Sequence, residues 1–361
     1  MPPGTEDKKY MERCLDLARQ GMGQVAPNPM VGSVIVCNNK IIGEGYHRAL
    51  GQAHAEPDAI GNVTEKDLLK NSTLYVNLEP CCHHGLTPPC TDLIIENKIP
   101  RVVVGTPDPH HLVAGKGIKI LGDAGIDVKT GVLENRCKEL NKRFFSRHLM
   151  GRPWIILKWA RSSDGYIDLE RSPDSPIGPN WITSSTARIL VHKWRAEEQA
   201  ILTGTNTVLK DNPRLNVREW TGKNPLRIVI DRKQKLDKSH HVLDGSQKTL
   251  VFTEKDPVRA GTRGDSSETR YVKIKFDGTA EEQMLSYLHE ANIISVIIEG
   301  GAFTLNRFIE KGLWDEARIF TGPVRFNGGI ASPAIKGNLV KRHMIDDSLL
   351  EILYNKPFPF D

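Results

Sequence analysis

The sequence predicts an α/β fold in two domains, and three observations carry that prediction. Short runs rich in Val and Ile alternate along the whole chain with segments of helical spacing, as in a sheet with helices on its faces. The 361 residues exceed one ordinary hydrophobic core. Gly151 and Pro153 in "MGRP" interrupt the alternation after a long helical stretch. The expected domains are therefore residues 1–147 and 151–361.

The first domain opens on an amphipathic helix over residues 8–20, with Met11, Cys14, Leu15 and Ala18 on one stripe. "VGSVIVC" and "IIGEGYH" read as strands joined by a tight turn at "NNK". A helix follows "HAE". The strand "STLYVNLE", the helix "TDLIIENK", the strand "RVVVG", the helix "GKGIKILGDAG" and the strand "IDVKTG" come next. "ENRCKELNKRFFSRHL" closes the domain as one long helix. In the second domain "WIILKWA" is a strand, and "TSSTARILVHKWRAEE" a helix with Thr183 or Ser184 as its cap. "AILTG", "PLRIVID", "TLVFTE" and "YVKIKF" are strands, and "AEEQMLSYLHEAN" a helix. "ISVIIEGG" is a buried strand ending in glycines, and "AFTLNRFIEK" the helix after it. "DEARIFTGPV" and "LLEILYN" are the last strands. The Pro- and Gly-bearing stretches Glu170 to Asn180 and Arg259 to Arg270 are loops.

Composition narrows the function. Hydrophobic residues at 39% and charged residues at 26% suit a packed globular protein. A net charge of +5 favours acidic small molecules such as phosphates, while 6% aromatics supply little for a base-stacking groove, so a nucleic-acid partner is not expected. "MPPGTEDKKY" has no apolar signal region and no run approaches the ~20 residues that span a bilayer, so the expected location is cytoplasmic, without membrane attachment. In a reducing compartment, clustered cysteines point to metal or catalysis rather than disulfides. Cys14 and Cys37 lie in apolar patterns and read as buried hydrophobes, and Cys137 receives no role.

The chemistry concentrates in "AHAEPD" and "LEPCCHHGLTPPC". A hydrolytic zinc site takes about three protein ligands and leaves one position for water. His54, Cys81 and Cys90 supply one nitrogen and two sulfurs for a single Zn²⁺. Zinc lowers the pKa of bound water towards ~7 and yields hydroxide. Glu56, two residues past His54 in the first turn of a helix, is placed to move a proton to a leaving amine. This is the pattern of zinc deaminases, H-x-E with P-C-x-x-C, except that eight residues separate Cys81 from Cys90. Cys82 is the competing ligand. A closed site completed by His83 or His84 is the non-catalytic alternative.

"NPMVG", "HAE", "LEPCCHHGLTPPC" and "DPHHLVAGKG" together resemble the amino-terminal half of the bacterial RibD family of riboflavin biosynthesis, which joins a pyrimidine deaminase to a reductase. The resemblance implies a cytidine-deaminase-like three-layer domain, zinc on His54, Cys81 and Cys90, Glu56 as proton shuttle, and substrate contacts from Asn28, His47, His83 and His110. It also marks departures. Pro57 follows "HAE", and Cys82 stands at a common Ser. Leu86 replaces a basic residue, and His110 replaces an Asn.

The second half carries no Rossmann fingerprint. "GMGQVA", Gly21 to Ala26, has the glycine spacing but follows a helix rather than a strand. Gly300 and Gly301 between "SVIIE" and a helix form a phosphate seat of another kind, with free amides at a helix start. "LKWARSSDGYI", "NWITSSTAR", "AILTGTNTVLKDNPRLNVR", "PLRIVID" and "VIIEGG" resemble the RibD reductase domain, which is dihydrofolate-reductase-like in fold. By that resemblance Ala160, Trp181, Thr207, Asp211 and Gly301, Ala302, Phe303, Thr304, Leu305, Asn306 and Arg307 contact NADPH. Arg195, Leu215, Arg218 and Glu299 hold the substrate, and the domain assembles into a homo-oligomer. Arg195 and Arg218 suit a ribose phosphate because each offers a fork of donors. Arg232 is a candidate for the cofactor's 2′-phosphate. Pro179 stands where a substrate-binding Ser is common, within a longer loop.

The expected function is hydrolytic deamination of 2,5-diamino-6-ribosylamino-4(3H)-pyrimidinone 5′-phosphate, followed by NADPH reduction of the ribosyl chain to ribityl. A deaminase of nucleic-acid bases and a non-catalytic zinc scaffold are the rival readings. Salt-dependent RNA binding would mark the first, and indifference to Glu56→Gln the second.

Overall fold

The computed structural model describes residues 5–83, 88–111, 113–172, 174–256 and 268–357. The chain divides between Met150 and Gly151 into two compact units.

In the first unit, helix α1 (Thr5–Arg19) precedes strands β1 (Gly32–Cys37) and β2 (Lys40–Tyr46). Asn38 and Asn39 turn the chain between these strands with φ of 50° and 59°, the left-handed region that Asn tolerates. Helix α2 (Ala55–Gly61), a 3₁₀ turn (Lys66–Asn71), β3 (Ser72–Val76), α3 (Cys90–Glu96), β4 (Arg101–Val104), α4 (Lys116–Asp123) and β5 (Asp127–Thr130) follow, then α5 (Glu134–Leu140) and α6 (Lys142–Met150). The sheet order is β2-β1-β3-β4-β5. Only the β2-β1 and β1-β3 pairings are antiparallel. Alternation along β1 decides the layers. Val34 and Val36 pack with Met11, Cys14 and Leu15 of α1 and Cys137 of α5. Ile35 faces the other way, onto Ala59 of α2, Ile94 of α3 and Leu121 of α4. Cys14, Cys37 and Cys137 are buried, as their apolar surroundings require.

The long helix expected over "ENRCKELNKRFFSRHL" is two helices. The break falls at Asn141, whose side chain accepts from Met30 N at 2.8 Å and donates to Met30 O at 2.9 Å. A buried side chain (2% exposed) that pairs with a distant backbone fixes the kink there.

In the second unit, β6 (Trp154–Arg161), β7 (Tyr166–Asp168), α7 (Ser185–Glu197), β8 (Ala200–Gly204), α8 (Thr205–Asp211), β9 (Leu226–Ile230), β10 (Thr249–Thr253) and β11 (Thr269–Lys273) come in turn. Then follow α9 (Ala280–Glu290), β12 (Ser295–Ile298), α10 (Ala302–Glu310), β13 (Glu316–Thr321), β14 (Ile330–Ala331), β15 (Asn338–Ile345) and β16 (Ser348–Tyr354). Ser184 caps α7, accepting from Ala187 N at 3.2 Å. The main sheet runs β11-β10-β9-β8-β12-β6-β13-β16-β15, parallel as far as β13 and antiparallel beyond. Its inner parallel strands β8, β10 and β12 are buried on both faces, whereas the edge strand β11 is partly exposed. The sequence reading missed α8, β7, β14 and β15. The exposed β15 has no alternating burial to announce it, since among the described residues its strand partner is β16 alone. Of the loop expected over Arg259 to Arg270, residues 259–267 lie outside the described residues, and Thr269 and Arg270 already pair in β11.

Candidate active sites

The first site gathers where α2 and α3 begin. His54 is the residue before α2, and Cys90 opens α3. Cys81 lies in the loop after β3. The His54 Nδ1 atom is 3.5 Å from Cys81 Sγ and 3.5 Å from Cys90 Sγ, and the three ligand atoms lie within 4.8 Å of one another. Zn–N and Zn–S bonds of about 2.05 and 2.3 Å at a tetrahedral angle give an N···S edge of about 3.6 Å, so the donor set fits the ion. Two amides of α3 hold Cys81: Cys90 N donates to its sulfur at 3.3 Å and Thr91 N to its carbonyl at 3.2 Å. The Cys90 thiol, aided by His54 and the Cys90 amide, pulls the Cys81 sulfur well below the usual thiol range against the opposing effect of burial. Cys82 is not among the converging ligands, and burial pushes its thiol up.

Glu56, in the first turn of α2, is 3% exposed. Burial, reinforced by the Cys81 charge, pushes its carboxyl up to about 7, and it interacts with the Cys90 sulfur. A carboxyl near neutrality beside a metal set can both take and return a proton.

Asn28 and His47 stand next to this set. Asn28 Nδ2 is 3.2 Å from His47 Nε2, and His47 Nδ1 is 2.9 Å from Ala53 O. The Ala53 carbonyl can only accept, so Nδ1 carries the proton and Nε2 receives the Asn28 amide. The His47 ring meets the His54 ring edge-on at 5.5 Å between centroids. The strands upstream are fixed by Asn77, which accepts from Gly32 N at 2.8 Å and donates to Met30 O at 3.0 Å. His83 is exposed. His110 stacks on His111 and meets His148 of α6 edge-on, with centroids 4.7 and 4.6 Å apart. Burial, then the charges of His111 and His83, lower its pKa. His84 and Leu86 lie outside the described residues.

Glu79 was missed by the sequence reading, although it is the glutamate of "LEPC". Its carboxylate accepts from Asp108 N at 3.0 Å, Gly115 N at 2.9 Å and Ile118 N at 3.2 Å. It thus ties the "DPHHLVAGKG" segment to the loop that carries Cys81. Gly117 makes the approach possible, since a Cβ there would stand 2.3 Å from Pro80 O. Asp108 itself is pushed up to about 7 by burial and by the Glu79 and Cys81 charges.

In the second unit a cleft of about 400 Å³ opens at the carboxyl ends of β6, β8 and β12, where ligands bind in open α/β sheets. Ala160, Trp181, Thr207, Asp211, Gly301, Ala302, Phe303, Arg195, Arg218 and Glu299 all line it. A second hollow of about 470 Å³ shares Thr207, Gly301 and Phe303 and adds Arg232, Lys233, Lys235, Thr304 and Arg307. The turn between β12 and α10 is tight. Gly301 N donates to Thr207 Oγ1 at 2.8 Å, and a Cβ on Gly300 would stand 2.9 Å from Thr304 Cβ. Trp181 and Phe303 are 54% and 77% exposed, large apolar surface left at the mouth of the cleft.

Not every expected contact faces the cleft. Leu305 is fully buried in the core of this unit, and Asn306 lines neither hollow. Arg307 pairs with Glu281 at 2.9 Å, and Arg232 with Glu254 at 2.6 Å. Leu215 is buried with φ of 50°. Arg195 is turned inward, its side chain 12% exposed. Its Nε and Nη2 donate to the two Glu299 oxygens at 2.8 Å each, and its Nη1 to Asn216 O at 3.2 Å. Burial would raise Glu299, but Arg195 and Lys158 outweigh it and hold the carboxylate at about 2. Lys158, on β6, is 3.5 Å from Glu299 Oε2, and burial lowers its pKa. Nothing in "IILKWA" distinguishes it from a solvent-facing strand lysine.

Comparison with known proteins gives a family for each half. Residues 4–106 match the family model "Cytidine and deoxycytidylate deaminase zinc-binding region", and residues 153–352 match "RibD C-terminal domain". The chain is 40% identical to the riboflavin biosynthesis protein RibD of Aquifex aeolicus, over 90% of this chain and 89% of that one. It is 36% identical to the Escherichia coli protein of the same name, over 88% of each. Among solved structures it is similar to a diaminohydroxyphosphoribosylaminopyrimidine deaminase/5-amino-6-(5-phosphoribosylamino)uracil reductase from Thermotoga maritima. There the TM-score is 0.86 and the identity 35%, covering 97% of this chain and 98% of that one. Acinetobacter baumannii RibD superposes with a TM-score of 0.87 at 31% identity, over the same shares. An α/β deaminase domain followed by an α/β reductase domain, matched along nearly the whole length, places this chain in the RibD family of bifunctional riboflavin-biosynthesis deaminase/reductases.

Proposed function

We propose that residues 1–147 deaminate 2,5-diamino-6-ribosylamino-4(3H)-pyrimidinone 5′-phosphate, and that residues 151–361 reduce the ribosyl chain of the product to ribityl. One observation carries the reading of the first half: His54, Cys81 and Cys90 converge to within 4.8 Å beside a buried glutamate. One Zn²⁺ held there would supply Lewis acidity and lower the pKa of a bound water. Glu56, buried two residues past His54, would take the proton of the attacking water and return it to the departing amine. Asn28 and His47, fixed to one another, orient the pyrimidine. His47 donates from Nδ1 to the Ala53 carbonyl, and burial lowers its pKa against the effect of that bond.

In the second half, NADPH bound across the two joined hollows would supply the hydride. Thr207 and Gly301 shape the turn that receives it, and Phe303 and Trp181 give apolar surface. Arg218, 41% exposed, stands 3.8 Å from Glu219 and donates to Asn216 Oδ1 at 3.3 Å, long contacts that a ribose phosphate would displace, with Arg188 stacked 4.6 Å over Trp181 beside it. Arg195 and Glu299 act as a unit that positions the sugar hydroxyls. Lys158 is the proton donor we assign, because it is buried in the cleft wall and its ammonium is destabilised there.

The reductase unit also offers a surface for a second copy. Edge strand β15 exposes Leu339, Val340 and Met344 at 54%, 53% and 57%. An edge strand bearing bare apolar side chains invites pairing, and light scattering tests it. The activity test is direct: incubate the pure protein with the diaminopyrimidine phosphate, with and without NADPH, and follow ammonia and cofactor oxidation separately. Ammonia without NADPH, and oxidation only after deamination, is the expected result. Absence of both would refute the assignment.

A further inference from the structure

Arg171 has no part in the function proposed above, yet it is one of the most fully engaged side chains in the second unit. It lies in a stretch of Pro, Ser and Gly after β7, where an arginine would ordinarily be solvated, and its side chain is only 8% exposed. Nη1 donates to Gly178 O at 2.8 Å and Lys210 O at 2.9 Å. Nη2 donates to Asp168 Oδ1 at 2.9 Å and stands 2.8 Å from Asp211 Oδ1. Gly178 N also donates to Lys210 O at 3.0 Å, and Asn180 Nδ2 to Asp168 Oδ1 at 2.7 Å. One planar guanidinium therefore ties the chain around Gly178 and Asn180 to the end of α8, and its partners Asp168, Lys210 and Asp211 line the reductase cleft with it.

Asp211 is the informative partner. Its Oδ1 is buried and ion-pairs with Arg171 Nη2 at 2.8 Å, and among the described residues no second donor reaches it. A buried carboxylate oxygen with spare acceptor capacity needs a donor, and the wall of a ligand cleft is where a ligand would supply one. Burial and the neighbouring Asp168 both favour the protonated acid, which would present a donor instead of an acceptor, and Arg171 opposes them.

We propose that Arg171 is a positioning residue for the nicotinamide cofactor, acting through Asp211, which it holds in place to accept a hydrogen bond from a hydroxyl or amide of that cofactor. This rests on the reading that Asp211 faces NADPH. The opposite sign of charge would be expected of a residue that bound the cofactor's phosphates directly, and Arg171 has no donor left for them.

The test is a fluorescence titration of full-length protein with NADPH, comparing wild type, Arg171→Leu, Arg171→Lys, Asp211→Asn and the two double variants. Arg171→Leu and Asp211→Asn should each weaken binding roughly tenfold, about the worth of one charge-assisted hydrogen bond. Arg171→Lys should fall between. Each double variant should bind no more weakly than Asp211→Asn alone, because the arginine acts through that carboxylate. In turnover, KM for NADPH should rise with kcat nearly unchanged, while ammonia release from the same molecules is unaffected. Additive losses in the double variants, or a fall in kcat at constant KM, would overturn the role. If Arg171→Leu does not fold, the Arg171→Lys and Asp211→Asn cycle decides by the same criterion. Wild-type protein that binds no NADPH would overturn the cofactor reading and this role with it.

Discussion

The imidazole of His54 stands 3.5 Å from the sulfur of Cys90, a residue 36 positions later in the chain. Among the described residues the ligand atoms that converge are those of His54, Cys81 and Cys90, a set that does not include Cys82. Cys90→Ser is therefore expected to lose stoichiometric zinc and, with it, ammonia release, while Cys82→Ser keeps both. Elemental analysis of freshly purified protein decides, and metal retained by the Cys90 variant would move the ligand elsewhere.

Glu56→Gln preserves shape and hydrogen-bonding reach but cannot carry a proton. Zinc content should stay at wild-type level and deamination should fall by about 10²–10⁴, the usual worth of a positioned acid–base group. NADPH oxidation on supplied deaminated substrate should be unchanged, which separates a chemical loss from a folding defect.

Glu79 satisfies three backbone amides at once. Glu79→Gln would turn an amide –NH₂ towards one of those donors and leave it unpaired at a cost of about 2 kcal/mol. Urea unfolding of the first unit should register that loss. KM for the pyrimidine should rise as the segment bearing Asp108 and His110 loosens. An unchanged unfolding midpoint would show that the clamp contributes nothing.

The Arg195–Glu299 pair gives a pH signature. Glu299 is held at about 2 against an ordinary 4.5. A depressed carboxyl contributes stability that is complete above its unfolded value and is lost as pH falls towards the folded one. The contribution is about 3 kcal/mol, at about 1.4 kcal/mol per unit. Glu299→Gln should therefore be less stable than wild type at pH 6, and the gap should close between pH 4.5 and 2. Stability curves that stay parallel through that window would contradict the assignment.

Much of this was legible in the sequence. The alternation of strands and helices and the "HAE" and "LEPC…TPPC" segments depend on local pattern, and local pattern is what a sequence displays. The break at Asn141 was not legible, because it depends on a hydrogen-bond partner, Met30, at the far end of the domain. Glu79 and Arg171 escaped for the same reason: each is defined by backbone atoms that only the fold brings near. Arg195 was expected to hold the substrate, but its bond to Glu299 was not legible, because helical spacing shows which face a residue occupies, not that a buried carboxylate waits opposite it. Leu305, expected at the cofactor, belongs to the core because α10 turns only part of each helical repeat towards the cleft.

Each of the two units has hydrophobic clusters of its own, and among the described residues each sheet is built from strands of one unit. Heating should therefore melt the protein in two calorimetric steps. A chelator should lower the temperature of one step and NADPH should raise the other. Either half can then drift, or even fail, while its neighbour keeps working.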